Sequence, residues 1–281
     1  MVYDLHTHST FSDGTTSPAE NAAFAAAVGL VGFALTDHDT MDGWAEAAQA
    51  CQEHGLDFVP GVELSTEFEE RGIHLLGYWV DPTHPALVTE CVRLRAERDR
   101  RANAMVANLA ALGIDISIDD VRAQAAGAPL GRPHLAAVMI AKGFVTDEDA
   151  AFDQYLADGG PAYEPKRALA PVDGVALIRA AGGTAVLAHP GLGSRDAPLS
   201  TVLLDQLRDA GMKGVEADHC GHDPAARNYW RAAARRRGMS VTGSSDFHGS
   251  RKESKIGDAT TSVSVVEELR RRAATAVDGK G

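Results

Sequence analysis

The chain has 281 residues, 44% of them apolar, which is enough for one large α/β domain with room for an insert. A formal net charge of −12 argues against a general binder of duplex DNA, which rewards a basic surface. Three scattered cysteines, Cys51, Cys91 and Cys220, make no disulfide framework and suit a reducing cytoplasm, and no apolar run is long enough to span a membrane.

Structure is expected at once, because Val2-Tyr3-Asp4-Leu5 reads as a strand rather than a leader peptide. It runs into His6-Thr7-His8. Alternate residues of an extended segment point the same way, so these two histidines can grip one ion from a single strand end. Asp13 follows in the next loop. Ser17-Pro18-Ala19-Glu20 is a capping box with proline at the first helical position, and the helix it opens stops near Gly29. Val31–Leu35 is a short buried strand ending in Thr36-Asp37-His38-Asp39, followed by a helix that Gly55 terminates. Phe58-Val59 then leads through Pro60-Gly61 to Val62-Glu63-Leu64, and Arg71-Gly72 turns into Ile73-His74-Leu75.

From 86 to 166 the strand–helix rhythm gives way to consecutive helices, at about 86–112, from Ser117, at 133–142 and at 147–157. Arg95, Arg98 and Arg101 lie near one face of the first, Arg132-Pro133-His134 opens a later one, and Lys166 returns the chain to strands. Thr184–Ala188 runs into His189, Gly214–Glu216 into Asp218-His219, and Ser240–Thr242 into Asp246-Phe247-His248, which repeats the spacing of the first pair. Most of the seven strand candidates carry metal-competent residues at or past their C-terminal ends, where parallel α/β barrels place function. The expectation is a closed barrel made of 1–85 and 167–281, with several divalent metals at one rim. A small all-helical insert, 86–166, stands over its mouth.

Imidazole and carboxylate without cysteine suit manganese, iron or zinc and argue against a structural zinc knuckle. Glu63 can bridge two ions. Paired cations can clamp the oxygens of an in-line phosphoryl displacement and lower the pKa of a bound water from 15.7 to roughly 7. A lone histidine carries little meaning; His54 and His84 read as ordinary surface residues, and Cys220 as a plain thiol beside an undecided His219. The arginine face could simply pair with Glu97 and Asp99, or Arg98 could hold phosphate. Arg132 and His134 fit a phosphate better, because a helix start adds backbone donors. Lys166 is either a solvated lysine or a further phosphate partner.

Six segments, DLHTHSTFSDG at 4–14, LTDHD at 35–39, GVELS at 61–65, IHLLGY at 73–78, AHPG at 188–191 and GSSDFHG at 243–249, resemble the polymerase-and-histidinol-phosphatase (PHP) family of metal-dependent phosphoesterases. The resemblance covers about 1–85 and 167–260. It implies a distorted seven-stranded (β/α)7 barrel with a trinuclear centre of two to three divalent ions, manganese first, with iron or zinc as alternatives. Carried over residue by residue, one metal takes His6, His8, Glu63 and Asp246. A second shares Glu63 and adds His74 and His189, and a third takes Asp13, His38 and His248. Asp13 stands where some members have histidine. The helical insert is similar to that of the stand-alone bacterial branch, which holds nucleoside 3′,5′-bisphosphate phosphatases, some of which trim short RNA from its 5′ end.

The expected activity is therefore hydrolysis, by metal-bound hydroxide, of a 3′-phosphate on a bisphosphonucleotide or of a short RNA end. His189, Asp37 or His222 would protonate the leaving oxygen. Arg132, His134, Arg98 and Lys166 would hold the substrate. The expected partner is a small phosphorylated molecule, with no duplex DNA, membrane or obligate protein partner. A histidinol phosphate phosphatase is the rival within the class, and a metal-binding regulatory domain without turnover is the rival outside it.

Overall fold

The computed structural model describes residues 1–69, 71–125, 130–165, 167–192 and 199–278. Its strands are β1 (Val2–Asp4), β2 (Gly32–Leu35), β3 (Asp57–Phe68), β4 (Arg71–Tyr78), β5 (Thr184–Leu187), β6 (Gly214–Glu216), β7 (Ser240–Thr242) and β8 (Thr261–Ser262). They form one eight-stranded sheet in the order β7-β6-β5-β4-β3-β2-β1-β8. The two sides of the sheet nearly meet. Thr7 forms a parallel bridge with Phe247 just past β1 and β7, and the backbone N–H of His8 donates to the Phe247 carbonyl at 2.9 Å. Asp4 strengthens that seam by accepting from the N–H groups of Ser245 and Gly257 at 3.1 and 2.9 Å.

Seven strands were expected, and each is present. The eighth, β8, is a two-residue strand lying antiparallel to β1, and two residues are too few for any alternation to show in a sequence. The sheet also departs from an all-parallel barrel, since β4 runs antiparallel to both β3 and β5. The register pairs Phe68 with Arg71, leaving a two-residue link between β3 and β4. A link that short can only join antiparallel strands.

Among the described residues, ten α-helices accompany the sheet: α1 (Pro18–Ala27), α2 (Trp44–His54), α3 (Pro85–Ala111), α4 (Ile118–Ala125), α5 (Arg132–Ala141), α6 (Glu148–Ala151), α7 (Pro171–Ala180), α8 (Thr201–Asp209), α9 (Pro224–Arg235) and α10 (Val263–Asp278). Ser17 and Glu20 close the anticipated capping box on α1, and Gly55 ends α2 in the left-handed conformation with φ 68°. His84 proves to be the N-cap of α3.

Helices α3 to α6 lie between β4 and β5 in the chain, and α6 continues into a π-helical turn, Phe152–Leu156. The apolar side chains of α3 are divided along its length. Leu87, Cys91 and Leu94 pack into the cluster of the barrel strands and α7–α9, whereas Ala102, Met105 and Leu109 join a separate cluster with Val121, Leu135 and Met139. Inside the barrel, Leu5, Val59, Leu76 and Val186 pack against Val266 and Leu269 of α10. That helix is tied to the strand beginnings, since Thr184 donates to the Leu269 carbonyl at 3.1 Å and Arg270 pairs with Asp57 at 2.6 Å. It therefore crosses the floor of the barrel, opposite the rim that carries the histidines.

A candidate metal centre at the barrel rim

The rim gathers all nine residues that the sequence set apart for metals. His6 and His8 follow β1, Asp13 lies in the next loop, His38 follows β2, Glu63 and His74 sit on the β3–β4 hairpin, His189 follows β5, and Asp246 and His248 follow β7. They fall into groups whose ligand atoms lie within 4.8 Å of one another: His6, His8 and Asp246; His6, Glu63 and His189; His38, Glu63 and His74; and His8, Asp13, His38 and His248. Glu63, 1% exposed, stands at the centre. Its Oε2 lies 3.1 Å from Nε2 of His6, Nε2 of His8 and Nδ1 of His38. Its Oε1 lies 2.8 Å from Nδ1 of His74 and 3.0 Å from Nε2 of His189. Asp246 Oδ1 lies 3.4 and 3.3 Å from the Nε2 atoms of His6 and His8.

The placement of protons tests whether cations fit here. His6 Nδ1 faces Glu216 Oε1 at 3.0 Å, and His248 Nδ1 faces the Asp246 carbonyl at 2.8 Å. Both partners only accept, so both Nδ1 atoms carry hydrogen, and in the neutral rings that bind metals both Nε2 atoms keep lone pairs. His8 Nδ1 lies 3.3 Å from Ser12 Oγ, whose own proton goes to Asp37, so the same tautomer follows. The lone pairs of His6 and His8 Nε2 are thus 3.0 Å apart and share their surroundings with two carboxylate oxygens. Acceptors crowded in this way repel one another unless a cation lies among them. Ligands about 2.1 Å from an ion at tetrahedral angles have edges of about 3.4 Å. Among the described residues, the buried atoms Glu63 Oε2 and His38 Nδ1 find no hydrogen-bond partner. The donor set therefore fits divalent cations.

Several supports of this centre escaped the sequence reading. Glu216, fully buried at the end of β6, accepts from His6 Nδ1, from the His189 backbone N–H at 2.7 Å, and from Ser244. Burial opposes its ionisation, but His6 holds its pKa down to about 2. Its position at a strand end was the available signal. His219, left undecided, reaches Asp246 Oδ2 at 3.3 Å. Arg251 and Lys252 lie beyond the last motif and line the cavity that opens onto these ligands, the main cavity of the site. The backbone is left-handed at Asp39 and Asp246, with φ 54° and 50°, so strain collects beside the ligands.

The residues expected to touch substrate are more dispersed. A cavity of about 490 Å³ opens onto Asp13, His38, Glu63, His74, His189 and Asp246, with Arg132, Arg251 and Lys252 also in its wall. A second, of about 250 Å³, shares Asp13, His74 and Arg132 with the first and continues beneath the helices along Arg98, Arg101 and Tyr163. Arg132 thus stands where the two meet. It donates to Asp158 at 2.6 Å, and its guanidinium carbon lies 5.5 and 5.9 Å from the ring centroids of Phe152 and Tyr163.

Arg98 is engaged by Asp39 Oδ2 and Ser65 Oγ, both at 2.9 Å, and so ties α3 to the loop carrying His38 and to β3, which carries Glu63. His134 is 2% exposed and lies behind Arg251, which approaches its Nε2 at 2.6 Å. Burial and then the Arg251 charge lower its pKa to about 4, so it is neutral at pH 7. Asp37 is buried with both oxygens occupied by Ser9 and Ser12. His222 accepts from the Gly191 N–H and faces the Ala217 carbonyl, each at 3.0 Å, and so holds the loop after His189. Lys166 lies outside the described residues.

Carboxylate and imidazole donors facing a wall of guanidinium and ammonium groups suit one class of chemistry, the hydrolysis of phosphate esters with divalent cations. Known proteins with similar sequences and structures point to the same class. The PHP domain model matches residues 4–113. A 5′-3′ exoribonuclease of Haemophilus influenzae is 35% identical over 246 residues, covering 88% of this chain and 89% of that protein. A 3′,5′-nucleoside bisphosphate phosphatase of Chromobacterium violaceum is also 35% identical, covering 87% and 86%. A crystal structure from Bifidobacterium adolescentis, described as a presumed metal-dependent phosphoesterase, superposes with a TM-score of 0.88 at 34% identity over 96% of each chain. The chain belongs to the PHP family, and it is a hydrolase of phosphate ester bonds.

Proposed function

We propose that the chain removes the 3′-phosphate of nucleoside 3′,5′-bisphosphates or cleaves nucleotides from the 5′ end of short RNA. What supports this reading is the pair of adjoining cavities that meet at Arg132, one walled by the metal-competent residues and the other by arginines and an aromatic ring. A substrate with two phosphates one nucleoside apart suits two such chambers. In this reading 86–166 act as a helical unit covering a PHP barrel of 1–85 and 167–281, the family's seven strands being supplemented by β8.

His6, His8, Glu63 and Asp246 would hold one cation, Glu63 with His74 and His189 a second, and Asp13, His38 and His248 a third. Bound divalent ions supply Lewis-acid charge and acidify a water at neutral pH. The chain's own groups do the rest. Arg132, held rigid by Asp158 and two rings, grips the phosphate that does not react, and binding energy from that remote group positions the reacting one. Arg101 adds charge beside it. Of the three groups considered for protonating the leaving oxygen, His189 lines the rim cavity but its Nε2 is turned to Glu63 and is taken up by the second cation in this reading, and Asp37 and His222 are occupied in holding loops.

Phosphate release with added manganese tests the reading on adenosine 3′,5′-bisphosphate, short oligoribonucleotides, histidinol phosphate and p-nitrophenyl phosphate. Arg132→Ala should cost about ten-fold or more in kcat/KM on the bisphosphate, from the loss of a charged hydrogen bond, and far less on p-nitrophenyl phosphate. Equal losses on both would remove the clamp, and a preference for histidinol phosphate would replace the substrate class.

A further inference from the structure

The loop after β7 carries cations to which the proposed reaction assigns no role. It is a built turn. Gly249 is left-handed at φ 69°, and a Cβ there would collide with Thr15 Oγ1. The Thr15 N–H donates to the His248 carbonyl at 3.2 Å, and Thr15 Oγ1 accepts from the Ser250 N–H at 2.8 Å. The short 3-10 turn that follows, Gly249–Arg251, delivers Arg251 and Lys252 to the wall of the main cavity. Arg251 contacts neutral His134, so that contact leaves its charge uncancelled. Lys252 reaches the other way, and its Nζ lies 2.5 Å from Asp246 Oδ2.

Asp246 is therefore shared. Its Oδ1 faces His6 and His8, and its Oδ2 faces Lys252 and His219. One negative charge serves both a set of cation ligands and an ammonium group. A divalent cation at Oδ1 and the ammonium at Oδ2 repel each other across the carboxylate, and each weakens the other's hold on it. The ammonium is mounted on a flexible four-carbon stem in the wall of a cavity of about 490 Å³, roomy enough for a phosphorylated ligand, so it has somewhere else to go.

We infer that Lys252 is an anion-binding residue that exchanges Asp246 for a substrate phosphoryl oxygen when cations are bound, and so couples metal loading to phosphate binding. This rests on reading the rim as a divalent-metal phosphoesterase centre. Lysine fits the role because it is a point charge that can turn between partners, whereas arginine's fork is better suited to holding one.

The test is calorimetric titration of wild type, Lys252→Met and Lys252→Arg, first with manganese on chelator-treated protein and then with inorganic phosphate on the manganese-loaded form. Lys252→Met should bind manganese as tightly as wild type or a few-fold more tightly, because a competing positive charge is gone. The same variant should bind phosphate about ten-fold or more weakly, from the loss of a charged hydrogen bond. Lys252→Arg should recover most of the phosphate affinity. A residue that merely holds Asp246 in place would weaken both ligands on mutation, and that result, or unchanged phosphate binding, overturns the inference. Failure of wild type to bind manganese would overturn the metal-centre reading itself.

Discussion

Glu216 shows how a residue that meets no substrate can decide a site. Its carboxylate fixes the His6 ring through Nδ1 and anchors the His189 backbone, so it sets the direction of two ligands on different strands. Replacing it with glutamine keeps the shape but loses the charge that orients His6. Groups in this position typically contribute 10–100-fold to metal affinity, so Glu216→Gln should weaken manganese binding by roughly that factor. Unchanged affinity in a direct titration would mean that His6 needs no such partner. The candidate ligands were legible in the sequence because most stand at or just past strand ends, and the His6/His8 spacing recurs in Asp246/His248. Glu216 shared that position but belonged to no pair. Arg98 stayed ambiguous because an arginine on a helix face looks the same whether it meets a phosphate or Asp39, and the contact with Asp39 comes only from the packing of α3 on the barrel.

At the level of elements, closure of the barrel depends on a few polar pins, because the strands are short. Asp4 is such a pin, holding backbone N–H groups from two segments that lie far away in the chain. Asp4→Ala would leave the Ser245 and Gly257 N–H groups without their acceptor, at about 1–3 kcal/mol for each that stays buried. Urea denaturation should show the loss as a lower midpoint with little change in slope, and an unmoved midpoint would mean that the seam holds without Asp4. The alternation of strand and helix was readable from capping boxes, glycine stops and apolar runs. The antiparallel course of β4 was readable only in part, from its turn residues. The two residues of β8 and the path of α10 across the floor were not readable, since neither depends on a local pattern. They follow from where Leu269 and Thr261 find partners across the molecule.

For the molecule as a whole, the rim holds like-charged carboxylates and inward-facing imidazole nitrogens within 4.8 Å of one another, and this crowding is a standing cost in stability. Cations that bind only the folded chain offset it. At a hundred times the dissociation constant the gain is about 2.7 kcal/mol, so manganese should raise the thermal midpoint by several degrees and chelation should reverse the shift. Ligand imidazoles must be neutral, and although burial lowers their pKa values, the neighbouring carboxylates raise those of His6 and His189 and bring that of His8 to about 9, so protons compete with cations and the gain should shrink as pH falls below about 9. Scanning calorimetry with and without manganese at pH 7.5 and 5.5 checks both statements, and a shift of equal size at the two pH values would argue against histidine ligation. No described helix is long and apolar enough to cross a membrane. The placement of α10 has one more consequence, for traffic. A barrel stoppered at its base by Val266 and Leu269 leaves the rim, among the described residues, as the side on which visitors come and go. A freed phosphate that leaves on the side where the next ester arrives would make departure, and not bond breaking alone, set the pace of turnover.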